Sequence, residues 1–349
     1  MLQYLVILLD DTSVAYCHAD NPLKERNLMP IETLKKGILF GMKQNLMIQY
    51  VFPDYELPKA YAEVLESIDN VKIYPVGCKP VTGIEDNNEA DVIVANDVDF
   101  FVSKKDNATI SETEMATMEM ATMKNLVLRL TFSEMLKQKD EIAKLFASGG
   151  RINLCITNVE QFTDEQIESY KQVLEEWSTA LLDLYKHGLS PQCNLLTDRM
   201  MLDKMHNCDA GVSNVTLAPN GKFYLCPAFY YDERTAVSNQ MDHNHPTSDN
   251  SVGDLEKGLD IPNPQLLKLD HAPLCRNCDT YQCRRCLWLN RRLTWDLNTP
   301  SRQQCVMAHV ERNASRNLLN DIRKVGEFMP QIDIKEINYL DPFEVRKEF

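Results

Sequence analysis

The residues in this sequence best suited to chemistry are cysteines that crowd into one part of the chain. Seven of the eleven cysteines lie within the 98 residues from 208 to 305, and the other four are scattered over the first 200 positions. The seven are Cys208, Cys226, Cys275, Cys278, Cys283, Cys286 and Cys305. Because thiolates bind zinc and iron–sulfur clusters, this crowding predicts a metal or redox site before it predicts disulfides.

Two CxxC units carry the strongest signal within this group. Cys275 and Cys278 form the first unit, Cys283 and Cys286 form the second, and four residues separate the two. Short spacing lets thiolates converge on one metal centre at a small cost in loop-closure entropy. Two such pairs rarely arise from core packing, but their spacing alone leaves a structural zinc site open beside an iron–sulfur site.

The wider pattern resembles the SPASM domain, the auxiliary-cluster module of radical SAM peptide-modifying enzymes. That family's pattern begins with a cysteine, a glycine and, after four more residues, a second cysteine, as Cys208, Gly221 and Cys226 stand here. The spacings after Cys278 and Cys283 are each one residue shorter than in the family. The sequence around these cysteines most resembles the CXXX repeat peptide maturases, SPASM proteins that act on small ribosomally made peptides with repeated cysteines.

The resemblance implies ligands for one complete [4Fe-4S] cluster and for part of a second. The first set would be Cys275, Cys278, Cys283 and Cys305, and the second would be Cys208, Cys226 and Cys286. Fully ligated family members have another cysteine between the first two, and none lies between Cys208 and Cys226 here. The second cluster would then have an open iron suited to a substrate thiolate, another ligand such as Asp209, or no stable existence.

Basic residues surround the dense cysteines. Six arginines but only two aspartates lie between Cys275 and Cys305. Four of these arginines, Arg284, Arg285, Arg291 and Arg292, would offset the negative charge of thiolate-bound clusters or bind an acidic peptide segment. The alternative interpretation is a solvated helix face with salt bridges.

Two parts that a radical SAM enzyme needs are missing from the sequence. That family holds its catalytic cluster on three cysteines in the loop after the first strand, whereas this loop contains only Cys17. The family's glycine-rich stretch after the second strand is also absent, and residues 52–56 stand in its place. We therefore expect no cleavage of S-adenosylmethionine. Asp10 and Asp11 in the same loop are either acid/base or metal-binding groups, or caps for the loop.

The elements that must position these residues alternate between strand and helix over the first 200 positions. The apolar run at residues 5–9 predicts a buried strand, and Thr163 with Gln166 forms a capping box that predicts a helix ending near His187. Asn220 and Gly221 predict a hairpin turn. We predict an α/β fold in which a partial parallel (β/α) barrel, radical-SAM-like, is followed by a small cysteine-rich SPASM iron–sulfur domain.

Domain boundaries follow from the change in sequence character near residue 200. We predict the degenerate barrel over residues 1–200, the SPASM domain over 201–312, and a C-terminal helix with a tail over 313–349. An acidic stretch at 85–123, with Met115, Met118, Met120 and Met123, predicts a solvated insertion or an adaptable peptide-binding surface. His243 and His245 form a weak metal motif inside a polar segment.

Composition restricts the partners. The net charge of -14 argues against nucleic acid, since the protein would repel phosphate backbones. No apolar run approaches the roughly 20 residues that span a bilayer, and no signal peptide is evident, so we expect a cytoplasmic protein that binds no membrane.

Together these features predict maturation of a cysteine-rich, CXXX repeat peptide through SPASM-type iron–sulfur clusters, without S-adenosylmethionine cleavage. The alternative is a non-catalytic peptide-binding partner of a true radical SAM maturase, with structural clusters or zinc. Expected partners are the precursor peptide and either such a maturase or an electron donor. The sequence favours a maturase but identifies no catalytic residue.

Overall fold

The computed structural model describes residues 2–78, 91–98, 101, 125–148, 150–205, 208–238 and 249–326. The chain divides into two units, and each unit is assembled from two separate stretches of sequence. The first unit contains Met1–Ala95 and Asp209–Lys268, and the second contains Asn96–Cys208 and Leu269–Phe349. The domain boundaries predicted near residues 200 and 312 stay predictions.

Strands and helices alternate along the chain. In sequence order the described strands are β1 (Tyr4–Leu8), β2 (Met47–Val51), β3 (Asn70–Pro75), β4 (Val92–Ala95), β5 (Asn125–Leu130), β6 (Arg151–Ile156), β7 (Gln192–Cys193), β8 (Asn214–Leu217), β9 (Lys222–Tyr224), β10 (Ser251–Asp254) and β11 (Gly258–Leu259). The described α-helices are α1 (Ile31–Lys43), α2 (Ala62–Leu65), α3 (Phe132–Lys137), α4 (Lys139–Leu145), α5 (Asp164–Lys186), α6 (Asp198–Met201), α7 (Pro227–Ser238), α8 (Leu287–Thr294) and α9 (Arg302–Val325).

The first unit is built on a sheet with the strand order β11-β10-β9-β8-β1-β2-β3-β4. The pairs β8–β1, β1–β2, β2–β3 and β3–β4 are parallel, and β9, β10 and β11 continue the sheet antiparallel. Strand β1 lies between two parallel neighbours, with Tyr4 opposite Met47 on one side and Asn214 on the other. Leu5, Ile7 and Leu8 are fully buried there. This explains why β1 is a continuous apolar run, and the predicted α/β fold with parallel strands is confirmed.

Helix α1 packs on this sheet through glycines. A Cβ on Gly37 would stand 2.4 Å from Leu217 Cδ2, and one on Gly41 would stand 3.0 Å from Ile48 Cδ1. The helical spacing of apolar residues instead predicts Met42 on the inner face, and this is wrong, because Met42 is 56% exposed. Hydrophobic periodicity counts apolar side chains, so it overlooks glycines that mark a close approach of helix and sheet.

The second unit contains the parallel strands β5, β6 and β7. Its longest helices, α5 and α9, pack against each other. The capping box predicted for α5 is confirmed: the Gln166 N–H donates to Thr163 Oγ1, and the Thr163 N–H donates to Gln166 Oε1. Between the two helices, the Tyr170 hydroxyl donates to Glu311 Oε1 over 2.8 Å.

Helix α9 begins earlier than its sequence pattern predicts. The pattern places its start at Asn313, whereas the helix starts at Arg302 and is capped by Ser301, whose Oγ accepts the Gln304 N–H over 3.2 Å. The early turns bury polar side chains, including His309. Because polar side chains share the buried face of these turns, the apolar spacing there does not mark the start of the helix.

Some sequence predictions fall outside the described residues. Met115, Met118, Met120 and Met123 of the acidic stretch lie there, as do His243, His245 and the tail after residue 326. Within the described ranges, every helix is too short or too polar to cross a bilayer.

Candidate metal centre

The four cysteines expected to hold one cluster all belong to the second unit. Cys275, Cys278 and Cys283 lie in the loop before helix α8, and Cys305 lies in the first turn of α9. Cys275 is buried with Met205 and Ala272, and the Cys278 and Cys283 side chains pack against this group. Three of the four cysteines thus lie together in one packed group, and Cys305 comes from the helix that follows α8.

The four thiols interact electrostatically. Burial is the main cause that raises the pKa of Cys275 to about 11 and the pKa of Cys305 to about 12. Burial also raises the pKa of Cys283, and the negative charge of Cys275 and Cys278 adds to the shift at both Cys283 and Cys305. Such coupling requires that the groups lie within charge-interaction range of one another.

Hydrogen-bonding groups surround the sulfurs. The Cys278 thiol donates to Thr280 Oγ1 over 3.1 Å, and His309 Nε2 lies 3.5 Å from the same sulfur. The backbone N–H of Arg285 donates to Cys283 Sγ over 3.4 Å, from a left-handed conformation with φ 42°. A donor such as the Arg285 N–H stabilises a thiolate ligand and tunes the metal that it holds.

This donor set fits a thiolate-bound cluster. Among the described residues, no three His, Cys, Asp or Glu side chains are placed to hold a single metal ion. The chemistry of the set is nevertheless that of a soft-metal site: one buried and three partly buried thiols, with the Arg285 N–H donating to the sulfur of Cys283. Binding of metal would convert the thiols to thiolates and release their protons.

The other three cysteines are distributed between the units. Cys208 and Cys286 belong to the second unit, and Cys226 belongs to the first. Cys286 is the N-cap residue of α8, and Cys226 directly precedes α7. All three are partly exposed. Their assignment to a second cluster stays a prediction.

A buried ion cluster that sequence analysis did not find lies directly beside Cys278. Asp279, the next residue, is fully buried, and three guanidinium groups bind its carboxylate: Arg199 Nη2 at 3.1 Å, Arg312 Nη1 at 3.1 Å and Arg316 Nη2 at 3.3 Å. We call these four residues the Asp279 ion cluster. Nothing in the local sequence could have indicated it, since Arg199 lies 80 positions away from Asp279.

The arginines singled out in the sequence have other surroundings. Arg285 is buried, donates to Asn298 Oδ1 over 2.8 Å, and its positive charge acts against the burial that raises the pKa of Cys275. Arg292 stacks on the Trp288 ring, 5.1 Å from its centroid. The charge of Arg285 thus acts on a candidate ligand, Cys275.

The loop after β1 is closed by its own aspartates. Asp10 Oδ1 accepts the Thr12 N–H (2.8 Å) and the Thr12 hydroxyl (2.6 Å), and Oδ2 accepts the Tyr55 hydroxyl (2.8 Å). Asp11 accepts from the hydroxyl of Tyr230 through Oδ1. Its Oδ2 accepts from Arg234 Nη2 (3.1 Å) and from the Asn27 amide (3.3 Å).

All four carboxylate oxygens of Asp10 and Asp11 therefore accept hydrogen bonds from protein groups, and both side chains are buried. Of the two interpretations that the sequence left open, capping of the loop agrees with this geometry. Tyr55 and Tyr230, which complete the caps, come from distant parts of the first unit and carry no sequence signal of that role.

Solved structures of one enzyme resemble the whole chain. Histidine-tagged anSMEcpe with bound AdoMet, a radical SAM anaerobic sulfatase maturase, gives a TM-score of 0.56 at 11% identity, covering 93% of this chain and 100% of that chain. Native anSMEcpe with bound AdoMet and Cp18Cys peptide gives 0.53 at 10% identity, with coverage of 93% and 100%. The fold is radical-SAM-like. At this identity the likeness concerns the fold alone.

The sequence itself shows no relative of this protein among protein families or curated proteins. No protein-family model matches the chain, and no curated protein matches it. The resemblance to CXXX repeat peptide maturases, which rests on the cysteine pattern, therefore stays a prediction, whereas the expected radical-SAM-like fold is confirmed.

Proposed function

We propose that this protein takes part in modifying a cysteine-rich, ribosomally made peptide of the CXXX repeat type in the cytoplasm. The proposal includes a partial barrel followed by a SPASM-type domain that holds iron–sulfur clusters. The observation that carries it is the group of four thiols in the second unit, of which Cys275 is buried, Cys278 and Cys283 pack against its group, and Cys305 lies in the first turn of α9. Support comes from the radical-SAM-like fold and from the peptide bound in a structure with that fold.

In this proposal Cys275, Cys278, Cys283 and Cys305 hold one [4Fe-4S] cluster. Such a cluster, when bound, supplies one-electron transfer. The Arg285 backbone N–H donates to Cys283 Sγ and would stabilise a thiolate there, and Thr280 Oγ1 and His309 Nε2 lie at Cys278 Sγ.

The second set of ligands, Cys208, Cys226 and Cys286, would leave one iron of a second cluster without a cysteine. A substrate thiolate is the natural fourth ligand for such an iron in a protein that acts on cysteine-rich peptides. The precursor peptide would then bind to the open iron through one of its own cysteine thiolates.

We further propose that the protein does not cleave S-adenosylmethionine. The loop after β1 contains one cysteine, Cys17, and the Asp10 and Asp11 side chains tie this loop to Thr12, Tyr55 and Tyr230. A loop closed by such bonds and carrying one thiol has too few ligands for a cluster that binds S-adenosylmethionine.

Anaerobic reconstitution with iron and sulfide tests the cluster proposal. We expect iron and acid-labile sulfide in equal amounts and an EPR signal on reduction. Cys278→Ser should lose the iron and sulfide of the cluster that Cys278 helps to hold, whereas Cys78→Ser, at a partly buried cysteine of the first unit, should retain them. Protein that binds zinc and contains no labile sulfide would refute the proposal.

A second candidate function is that of a non-catalytic partner, which binds the peptide for a true radical SAM maturase and keeps structural clusters or zinc. The Asp10 and Asp11 carboxylates favour it. All four of their oxygens already accept hydrogen bonds from protein groups, so in this loop they act as caps and have little capacity for catalysis. Incubation of the precursor peptide with the reconstituted protein, a reductant and no other enzyme separates the two. A change in peptide mass supports the maturase, and an unchanged mass with measurable binding supports the partner.

A further inference from the structure

The Asp279 ion cluster combines burial with an excess of positive charge. The Asp279 and Arg199 side chains are 0% exposed, that of Arg312 is 8% exposed and that of Arg316 is 31% exposed. Arg199 binds Asp279 twice, since its Nε also donates to the Asp279 backbone oxygen over 3.0 Å. Three guanidinium groups thus share one carboxylate in a buried position, where an uncompensated charge has a large desolvation penalty.

The nearest other buried carboxylate on α9 is engaged elsewhere. Glu311 accepts from the Tyr170 hydroxyl over 2.8 Å and from the Gln282 amide over 3.5 Å. Both donors are neutral. Within the Asp279 ion cluster itself three guanidinium groups face one carboxylate, and the buried Asp198, directly before Arg199, is paired with Arg151 over 2.7 Å.

Arg199 also has a donor that no acceptor satisfies. Its Nη1 is buried and makes no hydrogen bond, although Nε and Nη2 both bind Asp279. A buried N–H of a charged group left unpaired costs more than a neutral one, so this atom indicates an acceptor beside it. Arg199 and Cys278 are brought close to each other by Asp279, which follows Cys278 in the chain and binds the Arg199 guanidinium over 3.1 Å.

We infer that the Asp279 ion cluster compensates the charge of the iron–sulfur cluster proposed on Cys275, Cys278, Cys283 and Cys305, and that it raises the reduction potential of that centre. The inference rests on the proposed function. A thiolate-bound cluster is anionic and gains further negative charge on one-electron reduction, so nearby positive charge stabilises the reduced form. The arginines act through the field at the cluster and are positioning residues.

Two substitutions of opposite charge test the inference. Arg312→Gln removes a positive charge and Asp279→Asn removes the negative one, and each breaks the same ion pair. We expect the midpoint potential to fall in Arg312→Gln and to rise in Asp279→Asn. At the midpoint potential of the unaltered protein, the reduced fraction should drop below half in the first variant and exceed half in the second.

The measurement is an anaerobic redox titration of the reconstituted full-length chain, followed by EPR with dithionite as the electron source. Arg323→Gln is the matched control, because it makes the same change on the same helix about 27 Å along the axis from Cys305. Its potential should equal that of the unaltered protein. A purely structural role of the ion cluster would lower thermal stability in both test variants without moving their potentials apart.

The outcomes separate the inference from the proposed function. Absence of iron and sulfide in the unaltered protein overturns both. Formation of the cluster with unchanged potentials, or with shifts of the same sign in both variants, overturns the inference alone. If Asp279→Asn does not assemble, Arg312→Gln and the more exposed Arg316→Gln decide, since both must lower the potential and an unchanged value in both refutes the inference.

Discussion

Asp10 and Asp11 are adjacent in the chain, yet each is satisfied by a different set of partners. Asp10 is capped by its neighbour Thr12 and by Tyr55, whereas Asp11 is bound by Tyr230 and Arg234 from helix α7. A carboxylate that accepts bonds from a hydroxyl and a guanidinium has little capacity left for a metal. At the scale of single residues, the loop after β1 is therefore held by hydrogen bonds to its two carboxylates and by the ion pair of Asp11 with Arg234.

The Tyr230 hydroxyl gives a direct measure of that stabilisation. Tyr230→Phe removes a buried hydrogen bond to a charged group, so the free energy of unfolding should fall by about 1.5–3 kcal/mol. Urea unfolding monitored by circular dichroism measures it. Tyr74→Phe, at a partly buried position on β3, should change stability by no more than about 0.5 kcal/mol. Equal effects of the two substitutions would contradict the role given to Tyr230.

The cysteines can be predicted as a site from the sequence, whereas the Asp279 ion cluster cannot. The spacing of the cysteines predicts a metal site, because ligands on one loop are close to each other in the sequence. The Asp279 ion cluster has no such spacing, because Arg199 and Arg316 come from separate helices and meet Asp279 only in the folded unit. Contacts made by tertiary structure leave no periodic trace in the sequence.

Helices show the same contrast at the scale of elements. The capping box of α5 and the apolar run of β1 depend on local patterns, and both are found as predicted. The start of α9 and the inner face of α1 depend on buried polar groups and on glycines, which apolar periodicity does not count. Strand β1 and helix α5 are thus more predictable than α1 and than the helix that carries Cys305.

The glycine contact of α1 makes a specific prediction. Gly37→Ala adds a Cβ that would stand 2.4 Å from Leu217 Cδ2, so overpacking should destabilise the first unit by about 1–3 kcal/mol. Alanine's better helix propensity, worth about 1 kcal/mol, works in the opposite direction. Urea unfolding measures the balance, with Lys36→Ala on the exposed face of α1 as a control. A more stable Gly37→Ala protein would contradict the close packing described for this helix.

The N-cap of α9 links an element to the candidate centre. Ser301→Ala should destabilise the helix start by about 1 kcal/mol, because the Gln304 N–H loses its acceptor. Cys305 lies in that first turn, so a reconstituted cluster should be lost to an iron chelator faster than in the unaltered protein. Bleaching of the visible absorbance with time measures the rate. Thr163→Ala, which removes the equivalent cap of α5, should lower stability without the same effect on the rate.

At the scale of the molecule, removal of metal should act on one region. The loop from 272 to 286 contains no α-helix or strand, so its order depends on the ligands that it supplies. Chelation should therefore increase amide hydrogen exchange in this loop and in the first turns of α9, and leave β1 and β2 protected. Mass spectrometry of exchanged peptides measures both. Uniform loss of protection, or none, would contradict the placement of a cluster on this loop.

The interleaving of the two units has a consequence for synthesis on the ribosome. Strand β1 emerges first, but β8, which completes its pairing, belongs to the stretch that begins at Asp209. At roughly 5–20 residues per second, about ten seconds or more of translation separate the two strands. During that time β1 is an apolar strand with one open edge, the kind of surface that pairs with other chains. Until β8 has been made, the edge of β1 that it covers in the folded unit is open to pairing with other strands.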